Sequence, residues 1–215
     1  MAATAKPSSR KRLSAGDRRT AILDAALEVF AGHGYHAASI DEIAQAAGIS
    51  KALIYEHFPS KKDLHVSLLE RHVRDIFGRL EHSAATSEPG EVRMCAGVDA
   101  FLEWVETHPD AFRLVFRDVF EPDVAEVLLR LQAQATGAIA ALIASEPAAA
   151  PAFDEEADAR LAIELYAQQI SGAVQFLAIW WQTRPDVARD FVVERVMDFA
   201  WLGLERVRAG ERAER

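Results

Sequence analysis

Ser39 to Leu64, SIDEIAQAAGISKALIYEHFPSKKDL, decides the fold. Ser39 followed three residues later by Glu42 has the form of a capping box, in which each side chain satisfies a backbone donor at the start of a helix. Ile40, Ile43, Ala44 and Ala47 then recur at helical spacing, and Gly48 supplies the conformation that ends the helix. Ser50 is placed to cap a second helix, Lys51 to Phe58, whose Ile54 and Phe58 lie one turn apart and face inward. The outward arc of that second helix carries Ala52, Leu53, Tyr55 and Glu56, flanked by Lys51 and His57.

Two short helices joined at a glycine are the plan of a helix-turn-helix, whose second helix enters the major groove. The chemistry suits that use. Lys51 and Lys61 fit phosphates, and Tyr55 and His57 can donate to phosphate oxygens. Ala52 and Leu53 offer methyl groups to thymine, and Glu56 can accept from a cytosine amino group, or equally repel the backbone. An ordinary helical hairpin with a solvated face is the plainer alternative.

From Arg18 to Leu64 the chain resembles the TetR family of transcription regulators. The resemblance rests on Gly32, His33, Gly34 and Tyr35, then Ser39, Ile43, Ala44, Ala47, Gly48, Ile49 and Ser50, then Tyr55, His57, Phe58, Ser60, Lys61 and Leu64. It implies a three-helix DNA-binding domain, an all-helical C-terminal domain that binds an effector and dimerises, and a palindromic operator. It also implies DNA contacts at the positions of Ser50, Lys51, Ala52, Tyr55, His57 and Lys61. Ala52 stands where many members have Gly. With Ser39, Leu53 and Glu56, these residues form the expected DNA-binding set.

Charge is divided unevenly along the 215 residues. Residues 1 to 65 carry a net charge of +2 and residues 66 to 215 a net of −11, so only the front is suited to a polyanion. Within the first 20 residues, Lys6, Arg10, Lys11, Arg12, Arg18 and Arg19 face one acid, Asp17. Residues 1 to 16 are therefore expected to form a disordered basic arm, able to follow phosphates or a minor groove, or simply to stay solvated. The expected domains are this arm, a DNA-binding domain over 17 to 64, and a helical effector-binding and dimerisation domain over 65 to 215.

Helical periodicity continues throughout, predicting an all-α chain with helices over 18 to 31, 61 to 82, 91 to 107, 110 to 119, 122 to 145, 155 to 182 and 187 to 208. In the final helix, apolar residues fill two stripes: Val192, Val196 and Phe199, and Val193, Met197, Trp201 and Leu204. One buried face needs a single stripe, so the second predicts a homodimer contact through Val192, Val196 and Phe199. Trp104, Phe112, Phe116, Arg117, Tyr166, Gln169 and Phe176 are candidate effector contacts, being large side chains with polar handles among the middle helices. The same residues also suit a plain core.

Cys95 stands alone, which precludes an intrachain disulfide and points to a reducing cytoplasm. The apolar run from Ile170 to Trp181 is too short to cross a bilayer, and no membrane association is expected. HExxH, GxSxG, phosphate-loop and metal-spaced Cys/His patterns are absent, so neither an enzyme, a metal site nor a cofactor is expected. The sequence thus predicts a repressor that binds double-stranded operator DNA as a dimer and is released by a small-molecule effector. The rivals are a constitutive or architectural DNA-binding protein without a ligand and, from another class, an all-α enzyme.

Overall fold

The computed structural model describes residues 14–84, 87–116, 122–145, 156–209 and 211, and they are helical with no strand among them. Two compact units divide the chain between Leu68 and Leu69.

The first unit contains α1 (Ala15–Ala37), α2 (Ile40–Ala47), α3 (Lys51–His57) and the start of α4 (Lys61–Ala84). A serine precedes each of them. Ser14 and Ser39 form full capping boxes with Asp17 and Glu42. The hydroxyls of Ser50 and Ser60 accept from the backbone N–H of Leu53 and Asp63 at 3.3 and 3.1 Å. These bonds satisfy donors that short helices leave open in proportionally large number.

Gly48 ends α2 at φ +64°, and Ile49 N–H then donates back to the Ala44 carbonyl at 3.0 Å, the six-residue closure of a Schellman motif. The interior of the unit is apolar: Ile22, Phe30, Ile43, Ile54, Phe58, Leu64 and Leu68 are all buried. Helix α1 outruns the expected 18 to 31, because Gly34 at φ +78° and ψ 161° lets the chain bend while helix-like bonding resumes to Ala37.

The second unit consists of the remainder of α4 with α5 (Gly90–Thr107), α6 (Pro109–Phe116), α7 (Pro122–Ser145), α8 (Glu156–Trp181) and α9 (Arg189–Arg208). Proline opens α6 and α7, where a missing N–H costs nothing. Helix α7 packs on α8, and α9 on α5. Arg189, at the start of α9, meets Asp99 at 2.9 Å and Glu106 at 3.0 Å, fixing that end of α9 on α5. Trp181 donates from its indole N–H to the Val187 carbonyl at 2.8 Å and closes the α8–α9 turn.

The outer faces of α8 and α9 correct the predicted dimer stripe. Val192 and Val196 are buried within the protomer, together with Val193, Trp201 and Leu204, so the two stripes of the sequence form one broad inner face. Phe199 alone of the predicted trio points outward, at 76% exposure, beside Phe191 and Leu202 on the same helix. Helix α8 matches it with Leu161, Leu165, Phe176 and Trp180, all exposed and repeating at turns of the helix.

Among the described residues, Ala125–Ser145 of α7 is long and apolar enough, by length and composition alone, to cross a membrane, a property that a single apolar helix of a folded domain also has. Here it packs on α8 and its side chains line a cavity.

An added Cβ at Gly34 or Gly48 meets nothing within 4 Å, so any cost of substitution there is conformational. Gly48→Ala should cost about 1 to 2 kcal/mol, the left-handed penalty of an L-residue. Gly34→Ala should cost more, roughly 3 kcal/mol, since its ψ places it in a region open essentially to glycine alone. Urea unfolding at one fixed protein concentration measures both, and equal costs would contradict the assigned conformations.

Candidate nucleic-acid interface and ligand cavity

Helix α3 has only seven residues, and its orientation is set by what it buries. Ile54 and Phe58 go inward completely, which leaves Ser50, Lys51, Ala52, Tyr55 and Glu56 exposed and Leu53 and His57 half-buried. Tyr55 is 45% exposed although large and partly apolar, a face of the kind that awaits a partner. The structure therefore gathers most of the predicted DNA-binding residues on one outward surface.

Besides Ser50, which caps α3, three of them have partners inside the unit. Ser39 is occupied in the α2 cap: its hydroxyl accepts from Glu42 N–H at 3.2 Å and donates to the Glu42 carboxylate at 2.7 Å. Those bonds from Ser39 hold the Glu42 carboxyl below its usual range, so the cap remains ionised. Lys51 meets Asp41 of α2 at 2.8 Å, and this contact raises the ammonium pKa. Lys61 donates to the His36 carbonyl at 3.2 Å and lies 4.5 Å over the Tyr35 ring, tying the end of α1 to the start of α4. Asp41 and Tyr35 carry no sequence signal for these roles, because both pairings are made between helices.

Beneath Lys61 lies His65, buried between the rings of Phe30 and Tyr35 at 4.9 and 4.6 Å, with no hydrogen-bond partner for Nε2. Burial, followed by the nearby Lys61 charge, pushes its pKa down to about 4. The neutral ring is the folded form.

In the second unit a cavity of about 420 Å³ lies among α4, α5, α7 and α8. Its wall is almost wholly apolar, with Ile76, Leu80, Val98, Phe101, Ile139 and Val174 among the lining residues, and Gln132, Ser171, Gln175 and Arg93 as polar points. Of the predicted effector residues that are described, only Phe116 lines it. Trp104 and Phe112 are completely buried in the core instead. The Trp104 indole N–H is satisfied by the Asp75 carboxylate at 2.8 Å and its ring stacks on His108. Tyr166 is half-buried outside the lining, Gln169 is exposed, and Phe176 is 73% exposed because it belongs to the outer row of α8. Arg117 and the basic arm up to Leu13 lie outside the described residues.

The sequence and the fold match known regulators. Residues 22–68 match the model of the bacterial regulatory proteins of the tetR family. The chain is 33% identical over 198 residues to the HTH-type transcriptional activator FasR of Mycolicibacterium smegmatis, covering 91% of this chain and 87% of that protein. Over 107 residues it is 35% identical to the HTH-type transcriptional repressor SCO4008 of Streptomyces coelicolor, 49% of this chain and 52% of that one. A solved TetR-like transcriptional regulator from Rhodococcus sp. RHA1 superimposes with a TM-score of 0.76 at 24% identity, covering 90% of this chain and 99% of that structure.

The position of His65 gives a pH signature. Unfolded, its imidazole titrates near the ordinary value of 6.5, whereas folded it does so near 4. Between those values the unfolded chain takes a proton that the folded one refuses, so the stability contribution is intact above pH 6.5. It falls by about 1.4 kcal/mol per pH unit down to about 4. His65→Phe should therefore gain on the wild type progressively below pH 6.5 in urea unfolding. A difference between the two proteins that stays constant from pH 7 to 5 would refute the buried neutral ring.

Proposed function

The chain belongs to the TetR family of DNA-binding transcription regulators, and from that premise we propose that it works as a homodimer on a palindromic operator and is released by an effector held among α4, α5, α7 and α8. The observation that carries the DNA reading is the exposed face of α3, held outward by the burial of Ile54 and Phe58. Ser50, Lys51, Tyr55, His57 and Lys61 suit phosphates, and Ala52, Leu53 and Glu56 suit base edges. Lys51 would exchange Asp41 for a phosphate on binding.

Two reading helices must sit about 34 Å apart to enter successive major grooves, which requires two copies. The exposed rows on α8 and α9, centred on Phe176 and Phe199, supply the apolar area for pairing. Helix α4 contributes Leu64 and Leu68 to the core of the first unit and Ile76 and Leu80 to the cavity wall. A ligand that displaces this wall therefore acts on a helix shared with the reading head, which supports coupling of ligand to operator affinity. We place the protein in the cytoplasm with the chromosome, and read its action as repression relieved by the effector.

Footprinting on the promoters flanking the gene tests the reading together with its symmetry. The wild type should protect a palindrome, with two half-sites about one helical turn apart. Phe199→Glu, which places a charge in the outer row, should yield a monomer in sedimentation and lose the footprint while staying folded. Val196→Glu, facing the core, should instead unfold the subunit, at a cost of several kcal/mol. A Phe199→Glu protein that remains dimeric would remove α9 from the interface, and an unprotected promoter set would remove the operator reading. Transcription from the protected promoter should rise on effector addition; a fall would make the protein an activator.

A further inference from the structure

The first unit, taken from the capped start of α1, is not a cationic body. From Ser14 to Leu68 it holds five Lys or Arg against seven Asp or Glu, a net charge of −2 with its histidines neutral. Its reading face is balanced in the same way. Lys51 and Lys61 are equalled in number by Asp41, 2.8 Å from Lys51, and by the exposed Glu56 of α3. Duplex DNA carries one negative charge per about 1.7 Å of its axis, and this part of the protein offers it little net attraction.

The missing charge lies immediately ahead in the sequence. Lys6, Arg10, Lys11 and Arg12 are four cations with no acid among residues 1 to 13, and they bring the unit from −2 to +2. Helix α1 fixes where they are tethered. Its cap at Ser14 is five residues, about 7.5 Å of helix, from Arg19, whose guanidinium lies 4.8 Å over the ring of Phe58, the C-cap of α3. The tether point is therefore close to the end of the reading helix.

We propose that Lys6, Arg10, Lys11 and Arg12 bind backbone phosphates of the duplex beside the groove entered by α3, and supply most of the salt-dependent affinity of the protein for DNA. Each phosphate that a Lys or Arg neutralises releases condensed counterions, so four such contacts dominate a surface whose other charges nearly cancel. Phosphates repeat whatever the sequence, so the arm strengthens binding to every duplex alike and α3 alone carries the preference among them. The division of labour rests on reading α3 as the helix that meets base edges.

Fluorescence anisotropy of the full-length protein on a palindromic duplex from its flanking promoters, and on a random duplex of the same length, tests this between 50 and 200 mM salt. Combining Lys6→Gln, Arg10→Gln, Lys11→Gln and Arg12→Gln should lower the slope of log affinity against log salt by about 3 to 4 on both duplexes. At 50 mM salt the variant should bind both about tenfold or more weakly, with the ratio between them kept. None of the four residues belongs to the Ser14–Asp17 cap or to the buried core, so an unchanged melting temperature separates the loss from misfolding. An unchanged salt slope in the variant would overturn the role of the arm. A fall in slope on both duplexes, with a wild type that does not prefer the palindrome, would remove the α3 reading and leave the arm standing. A wild type that binds neither duplex would overturn both.

Discussion

The inward burial of Ile43, Ile54 and Phe58 around the left-handed Gly48 is the constraint on which the reading head depends. Seven-residue and eight-residue helices are far too short to persist alone in water. Here α2 and α3 exist because three apolar side chains share one core with Ile22 and Phe30 of α1 and Leu64 of α4, and because serine hydroxyls supply the missing partners at each N-terminus. The same burial that makes α3 stable fixes which of its residues meet solvent. Stability and recognition are two faces of one small helix.

Charge follows from this economy. The two lysines of the reading face are both held by neighbours within the first unit. Lys51 is matched by Asp41 and Lys61 leans on Tyr35, so both are held near the surface in defined places rather than waving as free chains. Exposed pairs of this kind contribute little to stability. Their value is positional, because a lysine already ordered loses less entropy when a phosphate replaces its partner.

The helix-turn-helix was legible because local rules write it: Ser39 with Glu42, Gly48, and Ser50 three residues before Leu53 each act within one turn. Helix α7 was placed at 122 to 145 for the same reason, with Pro122 at its start and no further proline before Pro147. Where several helices must be compared, sequence reasoning stopped. Val192 and Val196 look identical to interface residues on a helical wheel, and only the packing of α9 on α5 shows that they face inward and Phe199 outward. Trp104 looked like a ligand contact because of its polar handle, yet Asp75, 29 residues away, takes that N–H. The cavity wall is made mainly of aliphatic residues such as Ile76, Leu80 and Ile139, which at helical spacing carry the same signal as any core residue. A void is a property of how helices fail to fill space, and periodicity does not encode it.

The central claim is that the outward face of α3, fixed by its own buried side, is the surface that meets DNA. Hydrogen–deuterium exchange of the full-length protein, with and without its footprinted operator fragment, tests this most directly. Added protection should concentrate in Ser50 to Lys61 and the α2 cap at Ser39, with α8 and α9 unchanged between the two states. Protection that appears elsewhere in the chain while α3 exchanges as it does in the free protein would contradict the account.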